Sequence, residues 1–444
     1  LSNLMIKTAV ILAAGKGNRL NKINNYKSKP LTELFGRTFI ERAILNLRNN
    51  LKIENFIIVT GYNNQESEQY LDQLKQKYNL NLSCIYDPDW EKGNGHTFLA
   101  ALNNTNEDQF YLQMVDHLFT DKFYQVILNT KISNNKSYLL VSKNLSKYHD
   151  YEDVTKVKIE NNYINNIDKS IEKPDAYDAG FFIIDIKNYD TNIFFNFNKV
   201  ELSKVHMSVA DKQNLLPIYV EHSDWMDVDT EEDLKKAEDF LIESLKDKPT
   251  DGPVSKYINR KLSVPISKKL INYDITPNQI SIGVFLIAVL GTIFIAQDNY
   301  FALLFGALLA QLSSVLDGCD GEIARLKLLE SKFGGWFDQV LDRYSDIFIL
   351  SGLTIHCFNN YETTWVIIIG LLAVGSKTLL SYTAYKYDEI FKNNNSFRIG
   401  RDVSTLILFV GAILNFPYFT LILLTVLFNF EILKRIYLLK DRLI

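Results

Sequence analysis

From about residue 275 onward the chain carries repeated apolar stretches of roughly twenty residues, long enough to cross a bilayer rather than fill a soluble core. Candidate spans fall at about 279–297, 300–317, 335–357, 364–385, 403–415 and 417–433. Only Asn415-Phe416-Pro417 separates the last two, which predicts a tight helical hairpin. Basic residues are absent from the 1–2 connection (Gln297-Asp298-Asn299), from the 3–4 connection around Asn359 to Thr363 and from the 5–6 turn. The other side gathers Lys256, Arg260, Lys261, Lys268, Lys269, Arg325, Lys327, Lys332, Lys386, Lys392, Arg398, Arg401, Lys434 and Arg435. By the positive-inside rule this predicts an integral membrane protein with six spans, both termini and all upstream sequence in the cytoplasm.

Upstream of about residue 250 the chain mixes charged and apolar residues as a soluble domain does, and 444 residues exceed one ordinary domain. A net charge of −4 excludes a strongly basic nucleic-acid binder. Cys84, Cys319 and Cys357 have no paired spacing, which excludes a disulfide scaffold and a CxxC zinc site. The apolar run Thr8 to Ala14 is too short for a signal-peptide core and is stopped by glycine, so it reads as a first buried strand. The chain opens on Leu1, so the expected start is Met5 or a residue upstream. Strand-like runs at residues 56–60, 110–115 and 137–141 alternate with polar helical stretches such as Gln65 to Tyr78. The expected organisation is a Rossmann-like α/β domain with a mainly parallel sheet over 5–245, a linker and interfacial helix over 246–275, and an all-α six-helix transmembrane domain over 276–444. The segment KYINRKLSVPISKKL, Lys256 to Leu270, alternates basic and apolar residues as a helix lying on a membrane does.

Four acids lie where a membrane span disfavours them. Asp317 and Asp320 are three apart at the end of span two; Asp338 and Asp342 are four apart near the start of span three, so each pair shares a helical face. Each ionisable group in a span costs about 2.5–3.5 kcal/mol. A divalent cation, Mg2+, Mn2+ or Ca2+, would offset that cost, because carboxylates are hard oxygen ligands. Gly318, Gly321 and Ala324 keep one face small enough for a phosphate to approach, and Arg325 could neutralise its charge. The run D317-x-x-D320-G321-x-x-A324-R325-x8-G334-x3-D338-x3-D342 is similar to the signature of CDP-alcohol phosphotransferases. The resemblance covers Pro253 to the C-terminus. It implies a six-span fold, a di-metal site on Asp317, Asp320, Asp338 and Asp342, and Asp342 as general base toward the acceptor hydroxyl, with a homodimer formed through the helices. Thr276-Pro277-Asn278 also resembles an element near the nucleotide.

The upstream half has its own pattern. Leu12-Ala13-Ala14-Gly15-Lys16-Gly17-Asn18-Arg19-Leu20 follows the first strand, with glycines that let backbone N–H groups crowd a phosphate and Arg19 supplying charge. Neither a Walker loop nor GxGxxG is present. With Lys29-Pro30-Leu31 it resembles the signature of sugar-phosphate nucleotidyltransferases. That resemblance implies nucleotide contacts at Leu12, Ala13, Ala14, Gly15 and Gly17, a base-reading loop at Gly93-Asn94-Gly95, and catalytic Arg19 and Lys29. It further implies sugar-phosphate contacts at Glu172, Lys173 and the Asp178-Ala179-Gly180 run. Metal ligands are implied at Asp116 and within Trp225-Met226-Asp227-Val228-Asp229-Thr230, where Asp227 is favoured over Asp229. His96 and His117 read as structural.

The fusion of the two halves narrows the answer, because a phosphotransferase needs a CDP-alcohol and an upstream nucleotidyltransferase can make one. The arrangement, with GPVSKYINRKLSVPIS, ITPNQIS, DGCDGEIARLK and FGGWFDQVLDRYSD, resembles the bifunctional inositol-1-phosphate cytidylyltransferase / di-myo-inositol-phosphate-phosphate synthase family. That implies CTP and inositol 1-phosphate as substrates, CDP-inositol as intermediate, Mg2+ or Mn2+ at both sites, and basic residues for a phosphorylated acceptor, with Arg398 and Arg401 as candidates. Proteins of heat-loving organisms, where the family's product is typical, are poor in asparagine, whereas this chain has roughly forty. Two alternatives therefore stand beside this reading: the same two activities with a lipid acceptor, and a membrane transporter whose upstream domain senses nucleotide.

Overall fold

Every residue of Thr8–Ala13 (β1) is buried, as a central strand covered on both faces requires. The computed structural model describes residues 6–20, 28–194, 197–246, 254–390 and 399–443. The chain divides into two units, Leu1–Ser244 and Leu245–Ile444. Arg398 lies outside the described residues, as does Met5.

After β1 the first unit contains β2 (Glu33–Leu34), β3 (Arg37–Thr38), β4 (Asn55–Thr60), β5 (Asn81–Tyr86), β6 (Gln109–Met114) and β7 (His117–Phe119). There follow β8 (Ser137–Ser142), β9 (Lys156–Glu160), β10 (Tyr163–Asp168), β11 (Ala176–Asp185), β12 (Leu215–Val220) and β13 (Trp225–Asp227). The main sheet runs β10-β9-β11-β6-β1-β4-β5, with β8 and β12 branching from β11. Pairing is parallel across β6-β1-β4-β5 and between β12 and β8. It is antiparallel where β11 meets β6, β8 and β9 and between β9 and β10, so the mainly parallel sheet expected is present with an antiparallel flank. The β9–β10 pair is a hairpin the sequence marks only as a loop: Asn161 and Asn162 both take positive φ, the geometry its two-residue turn needs.

Helices cover both faces. α1 (Phe39–Leu51), α2 (Asn64–Tyr78), α4 (Asp121–Asn129) and α6 (Glu231–Ser244) bury apolar residues in one cluster; α3 (Asn94–Asn104) and α5 (Leu202–Ala210) bury theirs in the other. Within α5, His206 stacks on Phe182 with ring centroids 4.2 Å apart, and its Nδ1 lies 2.8 Å from the Tyr189 hydroxyl.

The second unit is helical: α7 (Arg260–Leu270), α8 (Pro277–Ile295), α9 (Tyr300–Leu326), α10 (Lys332–Tyr361), α11 (Thr364–Ile390), α12 (Arg401–Ile413) and α13 (Pro417–Leu443). α8 opens on a capping box between Thr276 and Gln279 with Pro277 at its first position. α8 and α9 cross where Gly291 meets Gly306; a Cβ on Gly306 would lie 2.5 Å from the Gly291 carbonyl. Among the described residues three helical stretches, Pro277–Ile295, Tyr300–Leu326 and Thr364–Ala384, are long and apolar enough to cross a membrane. The other expected spans are also helical but depart from that pattern for identifiable reasons. α10 carries Asp338, Asp342, Arg343 and Asp346, α13 ends in a charged stretch, and α12 has only 13 residues.

α7 lies against α9 with a polar face inward. Arg260, Ser263 and Ser267 are buried, while Tyr257, Ile258 and Leu262 are exposed. Arg260 donates to Glu322 Oε1 at 2.5 Å, and the Ser263 hydroxyl donates to the same oxygen at 2.7 Å. Glu322 is fully buried, so these two donors are what permit its charge there.

Two outcomes follow from this packing. Replacing Arg260 with Ala leaves a buried carboxylate uncompensated and lowers the stability of the helical unit by about 3–5 kcal/mol, whereas R260L/E322L recovers most of the loss. Thermal unfolding in detergent reads both. In the first unit, burial pushes His206 down to about 3, so the folded form excludes a proton that the unfolded chain binds near pH 6.5. Its contribution is therefore complete above about pH 6.5 and falls by up to about 1.4 kcal/mol per pH unit on acidification toward pH 3. H206F flattens this part of the stability–pH curve.

Candidate active sites

In the first unit the loop after β1 turns back on Lys29. Gly17 takes φ +70°, and a Cβ there would lie 2.8 Å from the Lys29 Cβ, so both backbone conformation and space demand glycine. Lys29 is buried and its ammonium donates to Asp116 Oδ2 and, at 2.5 Å, to Asp229 Oδ1. Burial alone lowers the Lys29 pKa, but Asp116 and Asp229 outweigh it and hold the group above its ordinary value. Asp116 follows β6; burial works against its charge, and Lys29 with His117 overcomes this and holds it far below the usual carboxylate range. Arg19 lies 2.9 Å from Asp229 Oδ2 and donates to Asp153 Oδ2 at 3.2 Å.

Asp229 is the acid that shares Lys29 with Asp116, where the sequence favours Asp227. Asp227 is the last residue of β13 and pairs with His117 across the β13–β7 ladder, whereas Asp229 lies two residues past the strand end, where the ladder no longer sets its direction. Burial raises the Asp227 pKa; His117 opposes this, while Asp229 and Asp116 add to it. His117, read from sequence as structural, bonds Asp116 Oδ1 through Nδ1 at 2.7 Å and stacks on Trp225. Gly180, at φ +68°, passes directly over the His117 ring, 2.2 Å from a hypothetical Cβ. Asp178 beside it is pushed up to about 6, mainly by burial.

Glu172 and Lys173 are exposed in the loop before β11. Gly93 and Gly95 pack against residues 199–201, with the Val200 and Glu201 carbonyls each 2.6 Å from a hypothetical Cβ, which gives these glycines a packing role. His96 pairs with the buried Asp87 at 3.0 Å.

In the second unit α9 and α10 bring Asp317, Asp338 and Asp342 together, with one carboxylate oxygen of each within 4.8 Å of the other two. Asp320 accepts from the Ser281 hydroxyl at 2.5 Å. Arg401, at the start of α12, donates to Asp317 Oδ1 at 2.9 Å and to Asp342 Oδ1. It stands between the two carboxylates, as like charges at this range need a cation. An all-oxygen donor set of this kind fits a hard divalent cation. Asp346, one turn beyond Asp342, lies 3.5 Å from Arg343 and 4.0 Å from the buried Lys377.

Beside the acids is a cavity of about 210 Å³, bounded by Asp317, Asp320, Asp338 and Arg325 and on the α7 side by Asn259 and Arg260. The α7 wall is absent from the sequence reading, although the i, i+3, i+7 spacing of Arg260, Ser263 and Ser267 marks a polar face. A Cβ on Gly318 would come within 3.2 Å of Arg260 Nη1, so glycine there admits α7 rather than a ligand alone.

Residues 9–144 match the MobA-like NTP transferase domain, and residues 274–433 match the CDP-alcohol phosphatidyltransferase family. A bifunctional IPC transferase and DIPP synthase of Aquifex aeolicus is 32% identical over 446 residues, covering 98% of each chain. One of Rubrobacter xylanophilus is 29% identical over 442 residues, covering 97% of this chain and 96% of its own. An archaetidylinositol phosphate synthase of Pyrococcus horikoshii is 30% identical over 181 residues, 40% of this chain and 90% of that protein. The inositol-1-phosphate CTP transferase from T. maritima overlays 54% of this chain and 96% of its own at a TM-score of 0.48 and 22% identity. With both domains present in the same order and a relative this similar along nearly its whole length, the chain belongs to the family of bifunctional IPC transferases and DIPP synthases.

Proposed function

We propose that the first unit, residues 5–245, converts CTP and inositol 1-phosphate to CDP-inositol and diphosphate. The second, residues 276–444, then joins CDP-inositol to another inositol 1-phosphate and releases CMP. The observation that carries this reading is the pair of charge-compensated acid clusters, one built on Lys29 and one on Arg401, in a chain whose full-length relatives carry both names.

In the first half-reaction Arg19 and Lys29 neutralise the triphosphate as negative charge shifts onto diphosphate. Both are held by carboxylates before substrate arrives, so the nucleotide exchanges one set of anions for another. In the second, Asp342 takes the proton of the acceptor hydroxyl as that oxygen attacks the β-phosphorus of CDP-inositol, and the bond to CMP breaks. Arg401 must leave Asp342 for that carboxylate to act as base, and in doing so becomes available to a phosphate. Asp317, Asp320, Asp338 and Asp342 would hold Mg2+ or Mn2+, as would Asp116 with Asp227 or Asp229. A divalent cation there supplies positive charge against the diphosphate and the departing phosphate. We place the helical unit in the membrane with six spans, α7 on its surface, the first unit and both termini in the cytoplasm, and the protein as a homodimer through its helices.

A second reading keeps both activities and gives the head group to a lipid. It is supported by the match of the helical unit to an archaetidylinositol phosphate synthase.

Purified protein in detergent with Mg2+, CTP and inositol 1-phosphate, followed by phosphorus NMR, tests both readings. The expected products are CDP-inositol, then a water-soluble phosphodiester and CMP; product that forms only with added lipid and partitions into organic solvent selects the second. Failure to consume CTP at all overturns both. D342N accumulates CDP-inositol, with the second step slowed at least about a hundredfold. K29M makes no CDP-inositol yet still consumes it when supplied. Chelation by EDTA stops both steps, and Mg2+ restores them.

A further inference from the structure

A lysine outside the groups considered so far is largely covered along its stem and has no counter-charge among the described residues. Lys156, the first residue of β9, is 8% exposed, and its Nζ sits 4.4 Å from the centroid of the Tyr151 ring. Among the described residues no carboxylate pairs with it, and no side-chain hydrogen bond from it is formed. The Tyr151 ring holds the ammonium in place without neutralising it, so its charge is open to an anion.

Its surroundings indicate which anion. Lys156 stands opposite Tyr177 in the β9–β11 ladder, and the Thr155 carbonyl accepts from the Asp178 N–H at 2.9 Å, so it borders the Asp178–Gly180 bend that rests on His117. Three residues before it, Asp153 receives Arg19 at 3.2 Å and Lys169 at 2.5 Å. Arg19, Lys29 and Lys169 each hold a carboxylate. Lys156 is thus a cation at the edge of the first site with its charge uncommitted.

We propose that Lys156 binds the phosphate of the polyol phosphate that attacks CTP. The assignment rests on the first half-reaction proposed above. One oxygen of that phosphate forms a bond to the α-phosphorus of CTP. The bond from that phosphorus to the bridging oxygen breaks, and its electron pair leaves with diphosphate. The acceptor enters as a dianion, so no proton has to be removed. The Lys156 ammonium stays protonated throughout and neutralises the oxygens that do not attack. Glu172 and Lys173, exposed in the neighbouring loop, are then peripheral to phosphate binding.

The test uses the full-length protein in detergent, comparing wild type with K156M and K156R, and measures CDP-inositol formation against each substrate. K156M keeps the buried stem. It raises KM for inositol 1-phosphate about tenfold or more, as loss of a charge-assisted contact does, with the CTP KM within about twofold and the unfolding midpoint unchanged. K156R recovers part of the loss. An unchanged KM for inositol 1-phosphate, or an equal rise for CTP, overturns the assignment. If the wild type does not turn over inositol 1-phosphate, glycerol 3-phosphate and glucose 1-phosphate replace it in the same assay. Failure with all three removes the proposed reaction, and calorimetric titration of inositol 1-phosphate then decides Lys156 separately. Weaker binding to K156M retains the phosphate site, and equal binding overturns it.

Discussion

Carboxylates gathered at short range repel one another, and each unit meets that cost with an internal cation. In the α/β unit Lys29 lies between Asp116 and Asp229, with Arg19 continuing from Asp229 to Asp153. In the helical unit Arg401 lies between Asp317 and Asp342. Both arrangements set positive charge against the clustered acids, and both occupy with protein cations the oxygens that substrate-bound charge would otherwise claim. Binding therefore exchanges ion pairs rather than creating them, which limits the desolvation that each step requires.

The backbone around these pairs is shaped by the same demand for proximity. Gly17 brings its loop onto Lys29, Gly180 brings β11 onto His117, and Gly318 lets α7 approach α9. In each place a Cβ would displace a charged or ring group rather than enlarge an empty space. The fixed elements, β1 and its parallel neighbours in one unit and the α8–α9 crossing in the other, give these approaches a stable frame.

Periodicity made much of the helical unit legible before any coordinates. Acids three and four apart share a helix face whatever the helix packs against, so Asp317, Asp338 and Asp342 converge as their spacing suggests. Chain reversal is not written in local spacing. Arg401 reaches Asp317 from a helix 84 residues away, and Arg260 reaches Glu322 across 62 residues. Asp227 and Asp229 differ only in which way a strand end turns, and sequence pattern does not fix that. Lys156 is unremarkable in sequence because a lysine at a strand start is ordinarily solvated; burial is what distinguishes it.

The shortness of α12 bears on how charged molecules reach the acid cluster. At 1.5 Å per residue, 13 residues give about 20 Å, roughly 10 Å less than the hydrocarbon of a bilayer. Arg401 lies at the end of this short wall, level with Asp317 and Asp342. With the helix placed in a membrane, a locally thinned bilayer matches the deficit and brings the end that carries Arg401 nearer to water. A hydrophilic phosphate then reaches the acids by a shorter path through the hydrocarbon than the other helices' length implies.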